Sequence, residues 1–101
     1  MSFFSKYQFS RPSKAIPWYT EVTPKEIWIY LTANYYETKL WIANKREGTG
    51  TLVMTVTSEW ESKNAFDQWF HDPNLLEWHK QRDDYHKEHG IILLGEEYYY
   101  S

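Results

Sequence analysis

The chain has 101 residues, a formal net charge of −3 and no cysteine. This length suffices for one hydrophobic core but not for two, so we predict a single domain over residues 1–101. The lack of cysteine excludes disulfides, thiolate metal sites and cysteine nucleophiles. The acidic balance, with no Lys/Arg cluster, argues against nucleic acid or an anionic membrane surface as a partner.

Aromatic residues are unusually frequent, with six Trp, nine Tyr and five Phe. Disordered chains lack aromatics, so this composition predicts a folded chain with aromatic-lined surfaces or a cavity. No apolar run approaches the roughly 20 residues that span a bilayer. Polar residues interrupt the N-terminal apolar ones, which is not typical of a signal peptide, and we expect a cytoplasmic protein.

The first half of the chain predicts one strand and one helix. Residues 3–9 alternate loosely, with aromatic side chains at odd positions, and predict a strand. A loop follows to about Thr23. The segment Thr23-Pro24-Lys25-Glu26 combines a capping residue, a proline suited to the first helical position and a capping-box glutamate, and predicts a helix over 24–37. Because the residues after it are largely β-branched or aromatic, a strand is the alternative there.

The second half begins with two alternating segments, 39–45 and 51–60, joined by a glycine-containing turn at 47–50, which predicts a hairpin. Ser62 is expected to cap the next helix, whose apolar stripe consists of Ala65, Phe66, Trp69 and Phe70.

Asp72-Pro73 is expected to end this helix and begin another, with Asp72 as its cap and Pro73 at its first position. Gly90 then ends the second helix, and residues 91–100 form a last strand. The resulting order, β-α-β-β-α-β, predicts an α+β, ferredoxin-like fold with an antiparallel sheet.

The segment VTSEWESKNAFDQWFHDP, residues 56–73, resembles the dimeric α+β barrel superfamily, most closely its antibiotic-biosynthesis-monooxygenase (ABM) group. The residues that carry the resemblance are the Trp60-Glu61-Ser62 turn and the Ala65-Phe66 pair. The resemblance implies a homodimer of two four-stranded sheets and a pocket between each sheet and its helices. It also implies cofactor-independent oxygenation of an aromatic or quinol-like small molecule.

Under this resemblance, Phe66 and Trp69 wall the pocket, and Tyr7 and Gln8 project into it from the first strand. His79 hydrogen-bonds or deprotonates the substrate, so His79 and Trp69 are the candidate catalytic residues. Each has a plainer interpretation, since Trp69 lies on an apolar helix stripe and His79 follows two leucines. The residues leave open whether the protein is an enzyme.

A narrower similarity concerns haem-degrading monooxygenases of the Isd type. Ala65-Phe66, Trp69 and His79 stand at the spacings of that group, which implies His79 as axial iron ligand and Trp69 pressing on the porphyrin. The Asn that the group carries on its first strand is missing, and Tyr7 and Gln8 stand near its position. We therefore expect no cofactor, with haem as the alternative; a non-catalytic dimer that binds a small molecule or a protein is a further alternative.

Two other patterns have plainer explanations. His79, Asp83 and His86 share one helix line, but the densely charged stretch around them is typical of a solvated face, so no metal site is predicted. The tyrosines at 98–100 show rings on both faces of the last strand, and we assign them to the dimer interface.

Overall fold

The structure is a computed structural model that describes residues 1–101. Four strands form one antiparallel sheet in the order β2-β3-β1-β4, namely β1 (Phe3–Ser10), β2 (Trp41–Glu47), β3 (Val53–Trp60) and β4 (Ile92–Tyr100). Four helices accompany it: α1 (Tyr19–Val22), α2 (Lys25–Leu31), α3 (Lys63–Phe70) and α4 (Leu76–His89). The fold is therefore α+β with an antiparallel sheet, as the sequence predicts. None of the helices has the length and apolarity that crossing a bilayer requires.

The two faces of the sheet differ because side chains alternate along each strand. On β1 the odd positions, Phe3, Ser5, Tyr7 and Phe9, face the helices and pair with the inward positions of β3. The buried residues of the helices pack against this side of the sheet and not against the other side, which we call the open face. Its members include Phe4, Lys6, Gln8, Lys45, Glu47, Thr55, Thr57, Glu59, Glu97 and Tyr99.

The main core lies between the helix face of the sheet and the helices, and aromatic rings dominate it. Trp60 is 1% exposed and stands at its centre, with its ring 4.9 Å from Trp41 and 5.3 Å from Trp69. Leu31 and Leu75 are fully buried beside these rings. Many of the aromatic residues that make the composition unusual are therefore part of this core.

The predicted helix over 24–37 is confirmed in extent: α2 continues into a π-helical turn at Thr32–Tyr36. Its predicted cap is wrong. The Thr23 hydroxyl donates to the Tyr19 carbonyl at 2.9 Å, because a short helix, α1, ends there and its carbonyl needs a partner. Helix α1 lies in the stretch predicted as a loop, and its start is held by Glu21, which accepts a hydrogen bond from the Trp18 backbone N–H at 2.7 Å.

Two predicted helix ends are confirmed. The Ser62 hydroxyl accepts from the Ala65 N–H at 3.1 Å and so caps α3. Gly90 ends α4 with a φ of 71°, the left-handed backbone that glycine tolerates best.

The predicted start of the second helix at Asp72-Pro73 is wrong, since α4 begins at Leu76. Asp72 is buried and its carboxylate is committed elsewhere: it accepts from the hydroxyls of Tyr30 at 2.7 Å and Tyr35 at 2.6 Å, and from the Asn74 N–H at 2.8 Å. Burial raises the pKa of Asp72, but these hydrogen bonds outweigh it and hold the pKa below its usual range. Asp72 thus ties the loop before α4 to the π-helical turn.

Candidate functional site

A cavity of about 340 Å³ lies between the helix face of the sheet and the helices. This volume is at the lower end of the roughly 300–1,000 Å³ typical of small-molecule sites. We call it the aromatic cavity, because eleven of its lining residues carry aromatic rings: Tyr7, Phe9, Trp18, Tyr19, Trp28, Trp41, Trp60, Trp69, Phe70, Trp78 and Tyr98.

The cavity exists because two small residues oppose each other in the middle of the aromatic sheet face. Ser5 of β1 pairs directly with Ser58 of β3, and both line the cavity. Along β1 the neighbours of Ser5 on this face are Phe3 and Tyr7, and large side chains at both serines would fill the gap. The alternation that builds the core thus leaves space at this one step.

The sheet side of the cavity is polar, which the sequence analysis missed. Ser5 and Ser58 are buried, and Asn44 of β2 stands beside them; we call these three residues the polar floor. The Ser5 hydroxyl accepts from Trp60 Nε1 at 3.0 Å, and the Ser58 hydroxyl accepts from Asn44 Nδ2 at 2.8 Å. The sequence does contain a signal for this polar floor: a serine stands at an inward-facing position of β1 and of β3, among otherwise apolar inward-facing residues.

Charged and titratable groups face the cavity from three elements. Helix α4 contributes Arg82, Asp83 and His86, β2 contributes Arg46, and β4 contributes Glu96. The net formal charge of these groups is zero when the histidine is neutral. The cavity therefore combines an aromatic wall with a few polar groups, which is typical of ligand sites.

His86 is the titratable group best placed for proton transfer in the cavity. It is half-buried, and its ring centroid lies 5.0 Å from that of Phe9. Burial lowers the pKa of His86 to about 4, and the charge of Arg82 acts in the same direction. The imidazole is therefore neutral at pH 7 and able to accept a hydrogen bond, while the lowered pKa makes it a weaker base than a free histidine.

Tyr7 lines the cavity, as predicted, and is held in its neutral form. Its hydroxyl lies 2.9 Å from that of Tyr98, and burial, followed by this hydrogen bond, raises the pKa of Tyr7 well above its usual range. Tyr7 can thus exchange hydrogen bonds with a ligand but is not a general base near neutral pH.

Of the other predicted site residues, Trp69 lines the cavity, whereas Gln8 and Phe66 do not. Gln8 lies on the open face, where its amide donates to Thr55 Oγ1 at 3.3 Å. Consecutive strand residues point to opposite faces, so the prediction that Tyr7 and Gln8 both reach the pocket is corrected. Phe66 is a core residue, with its ring 6.0 Å from that of Trp69.

His79 also lies outside the cavity wall. It is buried behind Trp69, Phe70 and Trp78, with ring centroids 4.8, 5.8 and 5.2 Å away, and neither ring nitrogen has a hydrogen-bond partner. Burial, followed by the charge of Arg82, lowers the pKa of His79 to about 4.

This arrangement does not fit a haem ligated by His79. An iron ligand needs one open nitrogen facing the cofactor, but the rings of Trp69, Phe70 and Trp78 separate His79 from the cavity. No group of three or more His, Cys, Asp or Glu side chains is arranged to hold a metal ion.

Comparison with known protein-family models, with curated proteins and with solved structures gives no significant match. What the chain does must therefore be argued from its own cavity.

Proposed function

We propose that this protein binds a small aromatic or quinol-like molecule in the aromatic cavity and acts on it as a cofactor-independent monooxygenase. One observation carries the proposal: an open cavity of about 340 Å³, walled by rings, holds a polar floor and a neutral histidine. Flat apolar ligands gain from stacking on such rings, and a few polar groups fix their orientation.

The chemistry requires a base and a dry environment. His86 takes a proton from the bound hydroxyl, and the ring anion then gives an electron pair to dioxygen, forming a carbon–oxygen bond. The peroxide anion takes the proton back from His86, and the hydroperoxide, formed on a ring carbon that bears hydrogen, loses water and leaves a ring carbonyl, so the ring is oxidised and dioxygen is reduced. In this scheme His86 replaces His79 as the base, since His86 lines the cavity.

The wider fold supports the same assignment. The order of strands and helices and the sheet order β2-β3-β1-β4 are consistent with the ferredoxin-like arrangement that the proposal includes. The cavity lies between the sheet and the helices, where the ABM resemblance expects its pocket. The enzymatic part of the proposal rests on that resemblance together with the position of His86.

The binding and the chemistry can be tested together with 1,4-dihydroxynaphthalene. We expect saturable quenching of tryptophan fluorescence and dioxygen uptake above the rate of uncatalysed autoxidation. His86→Gln is expected to retain binding and to lose about 100-fold in uptake, the lower end of what a general base contributes.

His71→Gln is the matched control, since His71 is exposed and lies outside the cavity. If the compound binds but the protein does not increase dioxygen uptake, the protein is a non-catalytic binding protein and the enzymatic part of the proposal fails. Absence of binding for every aromatic compound tried would contradict the proposal as a whole.

The proposal includes a homodimer formed through the open face. Phe4 and Tyr99 stack there with centroids 5.2 Å apart, and Ile92 of the edge strand β4 is 59% exposed. Exposed apolar side chains beside an unpaired strand edge are a liability unless a partner covers them.

Light scattering after gel filtration should give about twice the chain mass of 12.3 kDa. Tyr99→Lys is expected to shift the protein to the monomer, whereas Leu76→Lys, an equally drastic change at an exposed position of α4, should leave the dimer intact. A monomer for the unmodified chain would remove the dimer from the proposal.

A further inference from the structure

We propose that the ligand of the aromatic cavity is a hydroxylated aromatic acid, whose ring oxygen binds at the polar floor and whose carboxylate binds Arg82. This inference rests on the proposed function and names the substrate class of the same site; the ring oxygen at the polar floor is a second oxygen, distinct from the hydroxyl that His86 deprotonates. The observation behind it is that several hydrogen-bond donors of the cavity wall have no acceptor, or only a weak one, in the protein.

The polar floor offers unused donors. Ser5 and Ser58 each accept one hydrogen bond, from Trp60 and from Asn44, and no acceptor faces either hydroxyl proton. A hydroxyl that accepts keeps its own proton available as a donor. Because the two serines are directly opposed on neighbouring strands, their side chains lie next to each other on the cavity side of the sheet.

Trp69 adds to this excess of donors. Its indole N–H is buried and has no hydrogen-bond partner, although the side chain belongs to the cavity wall. A buried donor without an acceptor costs free energy.

Arg82 is the half-buried cation of the cavity wall, and its only acceptor is the neighbouring Asp83. Its Nε and Nη2 both lie 3.3 Å from one oxygen of the adjacent Asp83, longer than the 2.7–2.9 Å of a good charged hydrogen bond, and the Asp83 side chain is 70% exposed. The guanidinium has no other acceptor in the protein, yet its own side chain is only 27% exposed.

Arg11 is an arginine with a structural role, and its contacts can be compared with those of Arg82. It is 5% exposed, its Nε donates to the Thr51 carbonyl at 2.9 Å, its Nη1 donates to the Ile16 carbonyl, and it lies 4.4 Å over the ring of Trp18. Arg82 has only its long contacts to the exposed Asp83 carboxylate, which a ligand anion in the cavity can replace or share.

The spacing and the charges favour a one-ring monoanion. Ser5 and Tyr7 are two residues apart on β1, about 7 Å along the strand, and both line the cavity together with Arg82. A benzene ring with groups at opposite ends spans such a distance. Asp83 and Glu96 face the same cavity and oppose a dianion such as phosphate, which favours a single carboxylate.

The test compares three probes by tryptophan quenching at pH 7.5 and 0.15 M salt. They are 4-hydroxybenzoate, its neutral twin 4-hydroxybenzyl alcohol, and benzoate, which lacks the ring oxygen. We expect 4-hydroxybenzoate to bind at least tenfold tighter than either of the others. Arg82→Gln should abolish its advantage over the alcohol while leaving the affinity for the alcohol unchanged.

Ser58→Ala should abolish the advantage of 4-hydroxybenzoate over benzoate, and it spares the Ser5–Trp60 hydrogen bond that supports the core. Lys87→Gln removes the same charge from an exposed position of α4 and should change none of the affinities, which controls for long-range attraction. Unchanged affinity for the alcohol in Arg82→Gln, and for benzoate in Ser58→Ala, also shows that each variant is folded.

Equal binding of the acid and the alcohol by the unmodified protein would overturn the inference and leave the proposed function standing. The same holds if Arg82→Gln weakens both compounds equally, because Arg82 would then act on the fold. If no aromatic probe binds at millimolar concentration, the proposed function and this inference both fail.

Discussion

Replacement of Trp60 by alanine is expected to lower the free energy of unfolding by about 3–5 kcal/mol, the cost of deleting a buried large ring. Trp60 is 1% exposed, and its ring lies 4.9 Å from Trp41, 5.3 Å from Trp69 and 5.7 Å from Phe66. The substitution also removes the hydrogen bond that Trp60 donates to Ser5. Since small domains unfold with about 5–15 kcal/mol, this loss is a large part of the total.

Urea denaturation followed by far-ultraviolet circular dichroism measures the loss. Trp60→Phe keeps a ring and loses the N–H, so we expect an intermediate cost of about 1–2 kcal/mol. Trp28→Ala is the matched control: that ring is only partly buried and contacts Arg46 at 5.7 Å, and its loss should cost about 1 kcal/mol. A cost below 1 kcal/mol for Trp60→Ala would mean that the aromatic cluster does not hold the core together.

Local signals in the sequence predict most of the secondary structure. The helix at 24–37 is correct even though its residues favour a strand, because a proline at its start and the burial of Leu31 and Tyr35 outweigh β-propensity. Ser62 and Gly90 end their helices as expected, since capping depends on near neighbours alone. Asp72 fails as a cap because its partners, Tyr30 and Tyr35, lie about 40 positions earlier and no local pattern reveals them.

The candidate site is less predictable, because it depends on which side chains face a shared space. Tyr7 and Trp69 reach the cavity as expected. His79 and His86 lie on the same line of α4, yet only His86 lines the cavity, since the rings of α3 cover His79. The spacing of residues in the sequence predicts which side chains share one face of a helix. It does not predict which of them the aromatic rings of a neighbouring helix cover. The cavity itself arises from Ser5 facing Ser58, a cross-strand pair that becomes visible only when the register is known.

The two histidines of α4 should make the protein lose stability in mild acid. The pKa values of His79 and His86 are each lowered to about 4 in the folded chain, first by burial and then by Arg82. In the unfolded chain a histidine has a pKa near 6.5. Above pH 6.5 both rings are neutral in both states and the stability is complete. Between about pH 6.5 and 4 the unfolded chain binds protons that the folded chain does not. The free energy of unfolding therefore decreases as the pH is lowered through this range.

Each unit of depression is worth about 1.4 kcal/mol, but solvent reaches His86 and screens part of the effect, so we expect a combined loss of about 2–4 kcal/mol between pH 7 and pH 4.5. Urea titrations across this range measure it. His79→Leu, close to histidine in volume, removes two buried nitrogens without partners, so it should keep or raise the stability at pH 7 and flatten the pH profile. His71→Gln, at an exposed position, should leave the profile as it is. A profile that stays level down to pH 4.5 would mean that both rings take up protons freely in the folded protein, and His86 would then be cationic in mild acid and unable to serve as the base there.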